Sequence, residues 1–278
     1  MIDIQNLSFR YSKKKTVFAD FSLQLHENCI YGLLGKNGTG KSTLLYLLAG
    51  LLRPDHGSVR IDTAAGCPIE ASARRPEVLE QLYLVPEEFE FPLTTLDRYV
   101  ADNAPFYPNF SREVLDRCLQ EFELPTKMNL FGISMGQKKK VLISFALAAG
   151  TRILLMDEPT NGLDIPSKSQ FRKVIAQNMT DDRMIIISTH QVHDVESLLD
   201  HILILSDDST LLLNDSVAAL TDRYAFTTVP VGGDTSSPLY TEPSPQGLSA
   251  IEARTPDMPE TQLNLELLFN AVTKGVLR

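Results

Sequence analysis

The chain has 278 residues, 43% of them hydrophobic, with 35 Asp and Glu against 26 Lys and Arg, a formal net charge of −9. Such a length suits one large α/β domain, or one domain with a small appendage, and the apolar share is ample for a core. The acidic balance argues against a protein whose main work is gripping a phosphate backbone, so no nucleic-acid partner is expected. Lys13-Lys14-Lys15 and Lys138-Lys139-Lys140 are only local exceptions.

The first residues, Met1-Ile2-Asp3-Ile4, begin with strand-like alternation and show no basic-then-apolar targeting segment. Asp3 to Phe9 and Phe18 to Leu25 predict two strands around a polar turn at Ser12 to Lys15, and Cys29 to Leu34 predicts a buried strand feeding a glycine loop. Lys41 to Leu51 has a helical pattern, stopped by Arg53-Pro54-Asp55-His56-Gly57, with a strand at Ser58 to Ile61. Another strand, Leu82 to Val85, ends at Pro86.

From Pro86 to Ile133 the character shifts. Pro92, Pro105, Pro108 and Pro125 punctuate short helical pieces, Leu93 to Asn103 and Ser111 to Phe122, and Ser111 with Glu113 and Val114 reads as a helix start. These pieces predict an inserted helical subdomain over about residues 88–139. Alternation then returns as helix Gly136 to Ala149, strand Ile153 to Met156, helix Ser167 to Gln177, strand Met184 to Ser188, helix Gln191 to Leu199 and strand Ile202 to Leu205. The expected fold class is therefore α/β: a mostly parallel sheet with helices on its faces, and an antiparallel β part at the N-terminus.

Beyond about residue 222, six prolines from Pro230 to Pro259 fall among Gly, Ser and Thr, and the apolar pieces Phe226 to Val231 and Leu248 to Ala253 are short. Leu263, Leu265, Leu267, Leu268, Phe269 and Val272 make a final amphipathic helix stopped at Gly275. The expected organisation is a domain over 1–220 and a small extension over 221–278 packed on it. Cys29, Cys67 and Cys118 lack metal-ligand spacing and point to thiols in a reducing compartment. The longest apolar stretches, Leu44 to Leu52 and Val141 to Ala149, are too short for a bilayer. The chain thus reads as a soluble, cytoplasmic protein that reaches any membrane through a partner.

Three elements carry chemistry. Gly35-Lys36-Asn37-Gly38-Thr39-Gly40-Lys41-Ser42 follows a predicted strand and opens a predicted helix, the setting a phosphate-binding loop requires. Glycines let backbone N–H groups turn inward around an anion, and the helix start adds about half a positive charge there. Lys41 supplies formal charge for β- and γ-phosphates, and the Ser42 hydroxyl is placed to ligate Mg²⁺. Next, Ile153-Leu154-Leu155-Met156 delivers Asp157 and Glu158 to a strand's C-terminal end. Asp157 suits Mg²⁺ and Glu158 suits an attacking water, although Asp-Glu after a strand is by itself common on protein surfaces. His190 follows Ser188-Thr189 at the same sheet edge, where an imidazole could contact a γ-phosphate or orient water; alone, a histidine in such a place is more often structural.

With these motifs, Ile133-Ser134-Met135-Gly136-Gln137-Lys138-Lys139-Lys140 resembles the signature of ATP-binding cassette (ABC) transporter nucleotide-binding subunits, usually written LSGGQ. It lies before a predicted helix, and Asp157-Glu158-Pro159-Thr160-Asn161-Gly162-Leu163-Asp164 is similar to the family's extended carboxylate motif and following loop. The resemblance covers residues 1 to about 220 and implies a P-loop NTPase core that binds and hydrolyses ATP with Mg²⁺. It implies that Tyr11 stacks on adenine and that Gly35 to Thr43 hold the triphosphate. It further implies that Ser134, Gly136 and Gln137 reach the γ-phosphate held by a second nucleotide-binding subunit in a head-to-tail dimer. Asp164 would communicate across that dimer, and an integral membrane permease would be the other partner, of an exporter-type system by fold-level analogy.

Two departures stand out. The family's glutamine after the strand before the helical subdomain falls at Glu87, or in an alternative alignment at Glu88. Glu87 has the same reach and would ligate Mg²⁺ more strongly or raise a neighbouring carboxylate's pKa; a solvated acidic pair is the plainer reading. Met135 stands at the first signature glycine. The competing readings are a soluble cassette ATPase acting on a non-membrane partner and a module that uses ATP only to dimerise. The single cassette and acidic balance count against the first, and Glu158 with His190 against the second.

Overall fold

The computed structural model describes residues 1–12, 15–63, 66–230 and 238–277. Lys13 and Lys14 of the basic run, and Val231 of the apolar piece, lie outside them. The first third holds strands β1 (Ile2–Ser12), β2 (Lys15–Leu25) and β3 (Cys29–Leu34), helix α1 (Lys41–Leu48), and strands β4 (His56–Asp62) and β5 (Pro68–Glu70). The middle holds α2 (Pro76–Leu79), β6 (Leu82–Val85), α3 (Leu96–Asn103), α4 (Arg112–Glu121) and α5 (Met135–Ala148). Then come β7 (Ile153–Asp157), α6 (Ile165–Gln177), β8 (Met184–Thr189), β9 (His201–Leu205), β10 (Leu211–Ser216) and α7 (Val217–Arg223). The chain closes with β11 (Tyr224–Val229), β12 (Tyr240–Ser244), β13 (Gly247–Ala253) and α8 (Leu265–Thr273).

The strands form three sheets, ordered β2-β1-β4-β5, β10-β9-β3-β8-β7-β6 and β11-β13-β12. The first and third are antiparallel. In the second, β6, β7, β8, β3 and β9 run parallel, and β10 closes one edge antiparallel. The apolar runs of β7 and β8 are buried at every position, as strands covered on both faces must be. In β1 the buried positions switch from Ile2 and Ile4 to Leu7 and Phe9. The switch coincides with a register shift between Ile4 and Leu7 and a left-handed Asn6 (φ 49), a bulge that adds one residue and turns the alternation over.

Alternate residues of the central sheet feed two cores. Tyr31, Leu33, Ile153, Leu155 and Ile186 pack with α1 and the N-terminal sheet. Leu34, Leu154, Met156 and Ile187 pack with α5, α6 and the short helices. Leu265, Leu268 and Val272 of α8 belong to that second core, so the last helix shares it with the central sheet.

The structure departs from the sequence reading in three predicted helices. The helix expected from Leu93 starts only at Leu96, because Thr95 caps it, its hydroxyl accepting from Arg98 N at 3.3 Å. Helix α1 stops at Leu48 rather than Leu51, because Gly50 (φ +65) closes it: Gly50 N donates to Leu47 O at 3.1 Å and Leu51 N to Tyr46 O at 2.9 Å. A Cβ at Gly50 would lie 2.2 Å from the Ala71 carbonyl oxygen, so the close must be a glycine. The predicted helix Gln191 to Leu199 is instead two single 3₁₀ turns, Val192–Asp194 and Glu196–Leu198. Here tertiary partners hold both the backbone and a side chain. Arg172 donates to the Asp194 carbonyl at 3.2 Å, and the Glu196 carboxylate accepts from Leu265 N at 2.6 Å.

Candidate functional site

The loop from Gly35 to Gly40 leaves the C-terminal end of β3 and enters α1. Gly38 (φ +88) and Gly40 (φ +92) hold left-handed turns. A Cβ on Gly35 would lie 2.5 Å from Thr39 Oγ1, and that hydroxyl donates to Lys36 O at 2.9 Å. Helix α1 has no side-chain N-cap and no acid in its first turn, so its leading N–H groups are left for an anion. Lys41 is buried, and its ammonium curls back to donate to Gly35 O (2.7 Å) and Lys36 O (3.1 Å). Burial pushes the Lys41 pKa down, while Glu158, Asp157 and Glu87 pull it up. The Lys36 side chain points elsewhere, pairing with Asp207 at 2.9 Å, so this residue brings only backbone to the loop.

The loop forms one wall of a cleft of about 510 Å³, in which Asn37, Gly38, Ser42 and Thr43 face Glu87, Glu158 and His190. Parallel pairing sets Asp157 of β7 against Ser188 of β8, and the Ser188 hydroxyl donates to the buried Asp157 carboxylate. One residue on, Glu158 takes a left-handed conformation (φ 45), uncommon for a side chain of that size. Its N–H donates to Ser188 O at 3.0 Å. The Glu158 carboxylate accepts from the Thr189 hydroxyl at 3.2 Å, and its Oε1 lies 2.8 Å from His190 Nδ1. Glu158 and His190 are thus brought together in the cleft, and Glu87 joins them, whereas Asp157, expected with them, is buried next to Glu158 and does not itself line the cleft. Glu87 Oε1 accepts from Asn161 Nδ2 at 3.1 Å. Glu87 lines the cleft and Glu88 does not.

Tyr11 stands at the mouth, half exposed, edge-on to Phe9, with its hydroxyl 3.1 Å from Thr43 Oγ1. A half-exposed tyrosine ring beside a phosphate loop offers a stacking platform for a base.

Ser134, Gly136, Gln137 and Asp164 do not line the cleft. Ser134 caps α5 in a reciprocal pair: its Oγ accepts from Gln137 N at 3.2 Å, and Gln137 Oε1 accepts from Ser134 N at 3.0 Å. Met135 is exposed, and a Cβ on Gly136 would sit 3.4 Å from Gly162 O. Asp164 caps α6, accepting from Ser167 N at 2.9 Å and from the Ser167 hydroxyl; these bonds lower its pKa.

Lys15, Val17 and Asn161 also line the cleft without having been assigned to it from the sequence, and beside it a buried lysine escaped the reading too. Lys139 is 2% exposed, and its ammonium donates to the carbonyls of Glu158 (2.9 Å) and Asn161 (3.2 Å). Burial lowers its pKa, opposed by Glu87, Glu158 and Asp157. The signal was available: three successive helical residues span about 200°, so Lys138, Lys139 and Lys140 could not all face water. Lys138 pairs with Glu90 at 2.7 Å, and Lys140 reaches Gln170 Oε1 at 3.3 Å.

A parallel sheet with a glycine loop entering a helix at its C-terminal edge, beside a buried acidic strand end, defines a P-loop nucleoside triphosphatase. The sequence model of the ABC transporter family matches residues 18–161, just over half the chain. The protein belongs to that family and is an ATP-binding, ATP-hydrolysing cassette. It is 28% identical over 211 residues to the ABC transporter ATP-binding protein YtrB of Bacillus subtilis (strain 168), covering 75% of this chain and 70% of that one. It is 31% identical over 213 residues to the SkfA peptide export ATP-binding protein SkfE of the same organism, covering 74% and 86%. Matches named for export and for import both occur. A solved structure titled as the ATP-binding subunit of an ABC transporter superposes with a TM-score of 0.68 at 23% identity, over 79% of this chain and 91% of the other, a likeness of fold. Among the described residues, no helix is long and apolar enough to cross a membrane.

Proposed function

We propose that this chain is the ATPase subunit of a membrane transporter. Two nucleotide-binding subunits close head to tail on ATP, hydrolysis reopens them, and a separate integral permease turns that motion into transport. The subunit would sit at the inner face of the membrane through the permease. Residues 1–220 form the cassette, with a helical insertion at about 88–139, and 221–278 are its extension.

The observation that carries this reading is a divided site. The phosphate loop, Glu158 and His190 share one cleft, while Ser134, Gly136 and Gln137 lie outside it at the start of α5. A helix start with a serine and a glycine is a second anion cradle, and a second copy can present it to the cleft. Asp164, the N-cap of α6, would signal across the pair.

Within the cleft, Tyr11 stacks on adenine, and the backbone N–H groups from Gly35 to Thr43 hold the phosphates with Lys41. The Ser42 hydroxyl and the Asp157 and Glu87 carboxylates are hard oxygen donors, which fit Mg²⁺. Among the described residues no three His, Cys, Asp or Glu form a metal cage, and an ion that keeps waters and phosphate oxygens as ligands requires none. When bound, Mg²⁺ supplies charge neutralisation at the phosphates. Glu158 takes a proton from the attacking water as its oxygen bonds to the γ-phosphorus and the bond to the ADP oxygen breaks. His190 and Thr189 hold that carboxylate in place.

Glu158→Gln should cut phosphate release by about 100- to 10,000-fold while ATP traps the variant as a dimer on gel filtration. Unchanged turnover would remove Glu158 from the chemistry, and a strict monomer with ATP would sink the divided site. In cells, gentle detergent extraction should bring down a polytopic membrane protein with the chain. Wholly soluble behaviour there would favour the reading of a cassette ATPase with a non-membrane partner. Export is the direction we favour, from the unadorned cassette and the peptide-export name of one relative. ATP-driven uptake into inverted vesicles would support it.

A further inference from the structure

We propose that Lys139 is a positioning residue for hydrolysis: one buried ammonium clamps the turn from Glu158 to Asn161 to the signature helix and balances the extra negative charge of Glu87. The inference rests on Glu158 being the group that activates water.

The geometry is a short relay. Lys139 donates to Glu158 O at 2.9 Å and to Asn161 O at 3.2 Å, so two of its three N–H groups close both ends of one turn. Asn161, from the same turn, donates to Glu87 Oε1 at 3.1 Å. Glu158 begins the turn in a left-handed conformation that needs holding from outside. A buried ammonium facing only neutral carbonyls would be poorly compensated, and here the nearby charges of opposite sign are Glu87, Glu158 and Asp157. Lys139 lies on α5, the helix whose N-cap is Ser134. A shift of α5 as its start engages a second subunit would therefore pull directly on the backbone carbonyl of Glu158.

The test is a double-mutant cycle of Lys139→Met with Glu87→Gln, with Lys139→Gln as a neutral donor and Lys139→Arg as a charged one. We expect Lys139→Met to lower kcat by about tenfold or more, with ADP affinity measured in EDTA held to about twofold. Lys139→Arg should recover more of kcat than Lys139→Gln. In nucleotide-free protein in EDTA, Lys139→Met should lower the melting midpoint, and Glu87→Gln should restore part of that loss. Equal, additive shifts in both backgrounds would overturn the charge balance. A kcat unchanged by Lys139→Met, or a loss shared equally by affinity and kcat, would overturn the clamp. If Lys139→Met does not fold, the same comparisons apply to Lys139→Gln. Full loss of turnover in Glu158→Gln beside normal turnover in the Lys139 variants would sink this inference alone; normal turnover in Glu158→Gln would sink the function it rests on.

Discussion

One wall of the cleft comes from a single stretch of chain, residues 37 to 43, and the facing wall from three: the segment after β6, the turn after β7 and the residue after β8, with Tyr11, Lys15 and Val17 of the N-terminal hairpin also lining it. The first wall works through backbone. The inward fold of Lys41 is satisfied by carbonyls within six residues of it, and the uncapped helix start beside it leaves its leading N–H groups for an anion. The second works through side chains whose partners are distant in sequence, Glu158 with His190 and Asn161 with Glu87. In the proposed function a phosphate is therefore held by a locally specified motif, whereas the placing of Glu158, the proposed water-activating group, depends on the register of β7 against β8. Binding and chemistry in this protein have different structural addresses.

Substitutions on the two walls should separate accordingly. The largest expected effect on the local wall is Lys41→Met. Removing a charged donor from bound phosphates should weaken ATP binding by about 1.5–3 kcal/mol, read as a Kd increase of roughly 10- to 150-fold by calorimetry. The fold should survive, because among the described residues Lys41 Nζ bonds only two carbonyls of its own loop. An affinity near that of the unaltered protein would break the comparison by showing that the phosphates are held elsewhere. A smaller effect is expected from Tyr11→Ala. Its ring is half exposed, so the loss should fall near the lower end of base stacking, about 1 kcal/mol or about fivefold in Kd. Tyr11→Phe should retain nearly all of the affinity. Equal losses in the two Tyr11 variants would move the contribution from the ring to the hydroxyl near Thr43.

The legibility of the molecule follows the same division. The N-terminal hairpin, β3, α1 and the alternation from α5 to β9 were readable, because strand and helix periodicities and glycine or proline stops are local signals. The break of 192–198 into two 3₁₀ turns was not, since Arg172 and Leu265 compete for its backbone and side chains from far away in sequence. Strands β10 and β12 were missed as well. Neither is a buried apolar run: only Leu213 in β10 and Tyr240 in β12 are buried. The extension's final helix was legible as amphipathic, but the core it joins was not.

By itself the sequence determined the loop that we propose holds the triphosphate. A glycine-rich stretch between an apolar run and a helix start can turn its N–H groups toward an anion, and Asp157-Glu158 at a strand end marks the neighbouring edge. Only the tertiary structure decided which groups surround Glu158, that Glu87 rather than Glu88 enters the cleft, and that Lys139 is the lysine of three turned inward. The physical reason is that a buried charge is placed by the partners that compensate it. Those partners, the carbonyls and carboxylates of other strand ends, meet Lys139 only when the parallel sheet has closed.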